Sequence, residues 1–243
     1  MKSIFRKALL AGLSCLALAA GDLTITYKTT TTGMGGGEGT ETQYMNASKM
    51  RQNMSGAHHN DSLIDFDTQT IYVIEHDKKV IKKATFQELS DAMAQLDAQM
   101  DGQMGAMMAS MFGDMSEVKV TQLGKDTVLG RSCNKVRLQV GKINQEMSLD
   151  PSLKPPMDMA KAMKMSSIVP GPMGAGMRKM YEKMRELKGF PLKSHMTGMM
   201  GMDSLREATS ISESAIPASA WALPAGYATK SLTEDMHMGA RRH

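Results

Sequence analysis

Of the side chains here that could do chemistry, methionine dominates. The 243-residue chain has 27, and beyond residue 20 methionine outnumbers leucine 26 to 14. A thioether is a soft, polarizable group on a flexible stem, suited to adaptable apolar surfaces and to soft metals. Met93, Leu96, Met100, Met104, Met107, Met108, Met111 and Met115 recur at steps of three and four, as do Met173, Met177, Met180, Met184 and Leu187. That spacing places them on one face of a helix. Met100, Met104, Met107, Met111, Met173, Met177, Met180 and Met184, with Trp221, are therefore the candidate lining of a site for a lipid, an acyl chain or another hydrophobic ligand.

The same sulfurs support a second chemistry. Met104-x-x-Met107, Met177-x-x-Met180 and Met236-His237-Met238 each bring soft donors together, so Met104, Met107, Met177, Met180, Met236, His237 and Met238 are the candidate ligands of copper(I) or silver(I). A filled core with a purely structural role in the envelope is the third reading, because a methionine stripe at helical spacing is also what a plain core requires.

Catalysis finds less support. The six histidines fall in a loop (His58, His59), a tight turn (His76), a strand (His195) and the C-terminal tail (His237, His243), with no nucleophile spaced to any of them. The glycine run from Gly33 to Gly39 lacks the lysine and the helix start of a phosphate cradle. We expect a non-enzymatic protein with no cofactor, copper(I) being the alternative.

The positioning elements begin after residue 19. Lys2, Arg6 and Lys7 precede an apolar run from Ala8 to Ala20 that is too short to span a membrane, with small residues at Ala17 and Ala19. This is the pattern of a secretory signal cleaved after Ala19. Cys15 follows Gly12-Leu13-Ser14, a loose lipoprotein box whose leucine stands one place late, so lipid anchoring there is the less favoured reading. Cleavage would remove three cations and no acid, taking the formal charge from +4 to +1. The sequence pI near 9.0 is thus no argument for nucleic acid. Cys133 would be the only cysteine left, so no internal disulfide could form, and its place in a strand-like run predicts a small buried hydrophobe. The expected setting is the periplasm or the medium of a Gram-negative cell, with no transmembrane segment after cleavage.

Alternation predicts strands at Leu23–Tyr27 and onward through the threonines, at about Thr40–Met54, at Leu63–Asp67, Thr70–Ile74 and Val80–Lys82, at Val118–Thr121, at Thr127–Val140, at Ile143–Leu149, and at about Phe190–Met196 and Ser204–Ser214. Hairpin-length turns make the pairing antiparallel. Thr85 and Glu88 form a capping box opening a methionine-faced helix, single or broken at Gly102 or Gly105. The organisation expected is a signal at 1–19, one sheet domain at 20–232 with helical insertions near 86–115 and 157–187, and a disordered tail at 233–243.

The strand that opens directly after the signal, Gly130-Arg-Ser-Cys133-Asn-Lys-Val136, Gly189-Phe190-Pro191-Leu192 and the closing Ile216-Pro217 with Leu223-Pro224-Ala225-Gly226-Tyr227 together resemble the secreted bacterial domain of unknown function 4412. That resemblance implies an α+β fold akin to the periplasmic lipoprotein carriers: a single curved antiparallel half-barrel sheet covered by helices, here the methionine-rich ones. It brings no active-site residues with it. The chain lacks the helix that precedes the first strand in the carriers.

Overall fold

A computed structural model describes residues 21–33, 36–56, 60–99, 103–115, 117–157, 161, 164, 168, 171–199 and 201–234. The expected signal peptide and the tail beyond residue 234 lie outside the described residues. The strands are β1 (Leu23–Thr32), β2 (Gly37–Met45), β3 (Lys49–Gly56), β4 (Asn60–Asp65), β5 (Thr70–Glu75), β6 (Val80–Thr85), β7 (Val118–Val128), β8 (Arg131–Val140), β9 (Ile143–Asp150), β10 (Phe190–Met199), β11 (Met202–Ser212) and β12 (Ala228–Ser231). The helices are α1 (Phe86–Gln99), α2 (Gln103–Phe112) and α3 (Gly171–Glu186).

All twelve strands join one open sheet, ordered β12-β6-β5-β4-β3-β2-β1-β11-β10-β9-β8-β7, a half-barrel of α+β class. Two antiparallel meanders, β1 to β6 and β7 to β11, the second interrupted between β9 and β10 by the segment that holds α3, meet where β1 pairs with β11. The chain must therefore travel from the β6 edge to the β7 edge, and α1 and α2 lie in that connection. The path from β11, near the centre, to β12 at the β6 edge is the second long crossing.

Four features differ from the sequence expectation. The strand expected over 40–54 is a hairpin, because Asn46 turns the chain: its Oδ1 accepts the backbone N–H of Ser48 (3.0 Å) and of Lys49 (2.7 Å), the Asx turn that a short amide side chain makes. The strand expected over 127–140 is likewise broken by a two-residue turn at Leu129 and Gly130, both at positive φ, the conformation that matches hairpin twist. Gly124, between the two strands expected at 118–121 and 127–140, instead sits at a register shift inside a single β7. The closing strand β12 runs parallel to β6, from Ala228 opposite Val80 to Ser231 opposite Lys83, so the sheet is antiparallel everywhere but at this edge.

The capping box forms as expected. The Thr85 N–H donates to Glu88 Oε2 at 2.7 Å and the Glu88 N–H to Thr85 Oγ1 at 3.1 Å, satisfying donors that the first helical turn leaves free.

Register and the two-residue period divide the sheet's side chains between two faces. One carries Tyr27, Glu41, Gln43, Met45, Met50, Gln52, Ile64, Val136, Leu138, Met147 and Arg206, and is called here the inner face. The helices pack on it. Phe86 and Leu89 of α1 meet Ile64 and Ile71, while Met180 and Met184 of α3 meet Val136, Leu138, Val140, Met147 and Leu149. The opposite, outer face carries Tyr44, Arg51, Asp61, Leu63, Ile74 and Ile81.

The second crossing covers that outer face. Buried Arg51 donates to the carbonyl oxygens of Ala222 (2.6 Å) and Ala220 (3.2 Å) and to Asp61 Oδ2 (3.2 Å). The same carboxylate lies 3.0 Å from His76 Nε2, whose Nδ1 is 3.0 Å from the Tyr227 hydroxyl. Trp221 stands edge-on to Tyr44. The closing motif is thus a strap pinned by one buried ion pair and its hydrogen bonds.

Removing one partner of a buried pair strands the other charge, a loss of about 3–5 kcal/mol. Arg51→Met should lower the free energy of chemical unfolding by that order. Tyr227→Phe, which deletes a single hydroxyl contact, should cost about 1 kcal/mol. Equal effects from the two substitutions would show that the ion pair does not anchor the strap.

Candidate functional site

The inner face is sealed on the sheet side and loose on the helix side. Val136, Leu138, Val140 and Met147 are each 1% exposed, yet the α3 residues lying on them, Met180 and Met184, are only half-buried, as is Met115 beside them. Among the described side chains of α2 and α3, none larger than glycine is fully buried. Leucine or phenylalanine fixes a helix by interdigitating with the sheet, whereas unbranched methionine specifies packing poorly. The helices are held at particular points instead.

One such point is the C-terminal end of α2. The Lys142 N–H donates to the Phe112 carbonyl at 2.7 Å and its ammonium to the Ser110 carbonyl at 2.7 Å. Gly141, at positive φ, permits this, since any Cβ there would collide with the Phe112 carbonyl oxygen. Another is Gly176 of α3, where a Cβ would fall 2.7 Å from the Cβ of Met115. Only glycine lets the helix pass so close.

Between the two packed flanks the inner face carries a polar strip beside the buried cluster of Leu23, Ile25, Met45, Leu192 and Ala208, which hydrophobic patterning alone does not anticipate. Arg206 Nη2 donates to Glu41 Oε1 at 2.7 Å and to Gln43 Oε1 at 3.1 Å. Gln52 donates to the same Glu41 oxygen at 3.0 Å and accepts from the Ser62 hydroxyl at 3.2 Å. The guanidinium carbon lies 3.6 Å from the centre of the Tyr27 ring, a cation–π stack, and the Tyr27 hydroxyl donates to the Pro191 carbonyl at 3.2 Å. Burial drives the Tyr27 phenol above its ordinary range, against the lowering effect of Arg206. Glu41 and Gln43 are buried. Arg206 Nε is buried as well and has no hydrogen-bond partner, a deficit of about 1–3 kcal/mol.

The residues expected at the site divide into four groups. Met180 and Met184 lie on the inner face as expected. Met111 is half-buried on α2, and Met107 is 46% exposed. Trp221 packs on Tyr44, on the outer face, and so does not meet the methionines. Met100, Met236, His237 and Met238 lie outside the described residues, as do the side chains of Met104, Met173 and Met177. Sequence reasoning missed Met45, Met50 and Met147, which the sheet itself contributes, and the polar strip. The signal for the strip was present in β2, where Glu41 and Gln43 hold positions that period two assigns to the core alongside Met45.

Cys133 is fully buried and free. Burial pushes its thiol up, with the neighbouring Asp150 charge adding to the effect, so it is a poor nucleophile. Among the described residues, no three His, Cys, Asp or Glu side chains converge as a metal site. No described helix is long and apolar enough to cross a membrane, which says nothing of strands.

The sequence profile described as domain of unknown function 4412 matches residues 24–227. The chain belongs to that family. Among curated proteins nothing matches it. Of solved structures, PNGF-II is similar at 15% identity and a TM-score of 0.44 over 91% of this chain. This DUF4412 chain spans about a third of that protein, 34% of its length. The MucA/MucB complex of Pseudomonas aeruginosa is similar at 13% identity and a TM-score of 0.43, over 85% of this chain and 57% of that one. A LolA superfamily protein from Nitrosomonas europaea is similar at 6% identity and a TM-score of 0.34, over 84% and 91%.

The geometry of this DUF4412 domain separates two methionines of similar sequence context. Met184→Glu would place a charge against Val136 and Leu138 and should destabilise by several kcal/mol. Met107→Glu, already exposed, should leave stability within about 0.5 kcal/mol. Thermal or denaturant unfolding of the two variants measures the difference, and equal losses would mean that α2 buries Met107.

Proposed function

We propose that the domain is a non-enzymatic carrier of the bacterial periplasm or exterior that takes a lipid, an acyl chain or a comparable hydrophobic ligand between its helices and the inner face of its sheet. The observation that carries this reading is the mismatch across that seam. Fully buried valine, leucine and methionine of β8 and β9 are covered by half-buried methionines of α3, a helix held by the close approach of Gly176 to Met115. A ligand entering there would replace flexible side chains that cost little to move, while the sheet keeps its shape.

The copper(I) reading rests on Met104, Met107, Met177, Met180, Met236, His237 and Met238. Its support is the softness of the donors alone; Met107 is exposed where Met180 is half-buried. Cleavage after Ala19 and release without lipid anchoring belong to the same proposal, and the intact mass of secreted material reads both.

Native mass spectrometry of the full chain recovered from its own envelope fraction tests the carrier reading against the metal one. A co-purifying mass removed by organic extraction supports the carrier. A mass increment of one copper, with a copper(I) affinity constant between pH 5 and 7 because thioethers do not titrate, would overturn it. So would a clean apo mass together with no uptake of added lipid.

A further inference from the structure

The polar strip lies between apolar clusters on the one face that the proposed ligand would touch, and one of its fully buried polar atoms has no partner. Glu41 Oε1 accepts from Arg206 and Gln52, Gln52 Oε1 accepts from Ser62, and Gln43 Oε1 accepts from Arg206. Gln43 turns its amide N–H to the Met50 sulfur at 3.4 Å, and Tyr27 donates to Pro191. Arg206 Nε is the strip's one fully buried polar atom without a partner, a donor shielded from water with no acceptor. Stacking on Tyr27 and the bond to Glu41 hold the guanidinium in place, so this donor is pre-aimed.

The charge of the strip decides what can accept from it. The Arg206 cation is already paired with the Glu41 anion at 2.7 Å, so the pair is neutral. A carboxylate or phosphate brought to Nε would bury a third, uncompensated charge beside Glu41, which a low-dielectric site disfavours. A neutral acceptor adds none. Ile25, Met45 and Met50 share this face and supply the apolar surface an attached chain needs.

Building on the carrier reading, we infer that the inner face recognises a neutral acyl ester or amide, its carbonyl oxygen accepting from Arg206 Nε and its chain lying under the methionine helices. The single donor gives selectivity for a carbonyl over both a bare hydrocarbon and a free acid. A hydrogen bond from a charged donor in such a site corresponds to about a tenfold preference.

The test is displacement of Nile red from the full secreted chain by methyl laurate, laurate and dodecane, each delivered from cyclodextrin. Methyl laurate should displace the dye at about tenfold lower concentration than dodecane, and laurate should do no better than dodecane. Arg206→Met combined with Glu41→Gln removes the donor without stranding a charge. This double variant should bind dodecane as before and lose the ester preference. The wild-type ranking stands by itself if the double variant does not fold. Laurate outcompeting methyl laurate would overturn the inference in favour of an anion site, as would an ester preference that survives in a folded double variant. If Nile red and all three ligands fail to bind, the carrier reading itself falls. If they bind without preference, the carrier stands and only the recognition of a carbonyl falls.

Discussion

An open sheet of twelve strands has two faces to cover, and three long connections cover them: β6 to β7 with α1 and α2, β9 to β10 with α3, and β11 to β12. Because β6 and β7 lie near opposite ends of the sheet while being neighbours in sequence, the segment between them must cross its whole width. Because β11 is central and β12 terminal, the last connection must cross half of it. The helices take the inner face and the closing strap takes the outer one. Every other feature of the molecule follows from how differently these two covers are made.

The strap is made to stay. Its carbonyl groups are held by Arg51, Arg51 is held by Asp61, and the chain then pairs with β6 through backbone bonds from Ala228 and Leu232. A buried guanidinium satisfied by two carbonyls and a carboxylate leaves few alternative arrangements, because each partner lost would leave an unpaired charge. The inner cover is made to shift. Methionine replaces branched residues, none of the methionines seen on α2 and α3 is fully buried, and the fixed points are close contacts at Lys142 and Gly176. At the centre of the inner face, on β2 and β11, the sheet carries the Glu41–Arg206 pair instead of a continuous apolar floor.

Much of this was legible in the sequence, and the parts that were not share a physical reason. Alternation located the meander at 62–85, the capping box at Thr85 and Glu88 located the start of α1, and helical spacing located the methionine face of α3. The hairpins at Asn46 and at Leu129-Gly130 were missed because an Asx turn and a two-residue turn interrupt the alternation by too little to break a strand pattern. The parallel pairing of β12 could not be read locally, since four residues pair with a strand about 150 positions away. The polar strip was hidden for a related reason: Glu41, Gln43 and Arg206 acquire a shared face only once register joins β1, β2 and β11. Trp221 was placed by its chemistry among the methionines, and the strap that carries it passes on the other side.

The central claim is that one cover opens while the other stays shut. Native-state hydrogen exchange measures this directly, by giving each amide its own opening free energy. The account predicts that amides of α2 and α3 exchange through openings several kcal/mol below global unfolding, while those of β8, β9 and of β12 against β6 exchange only with the whole domain. Helix amides that exchange solely through global unfolding, together with the strands they cover, would contradict it.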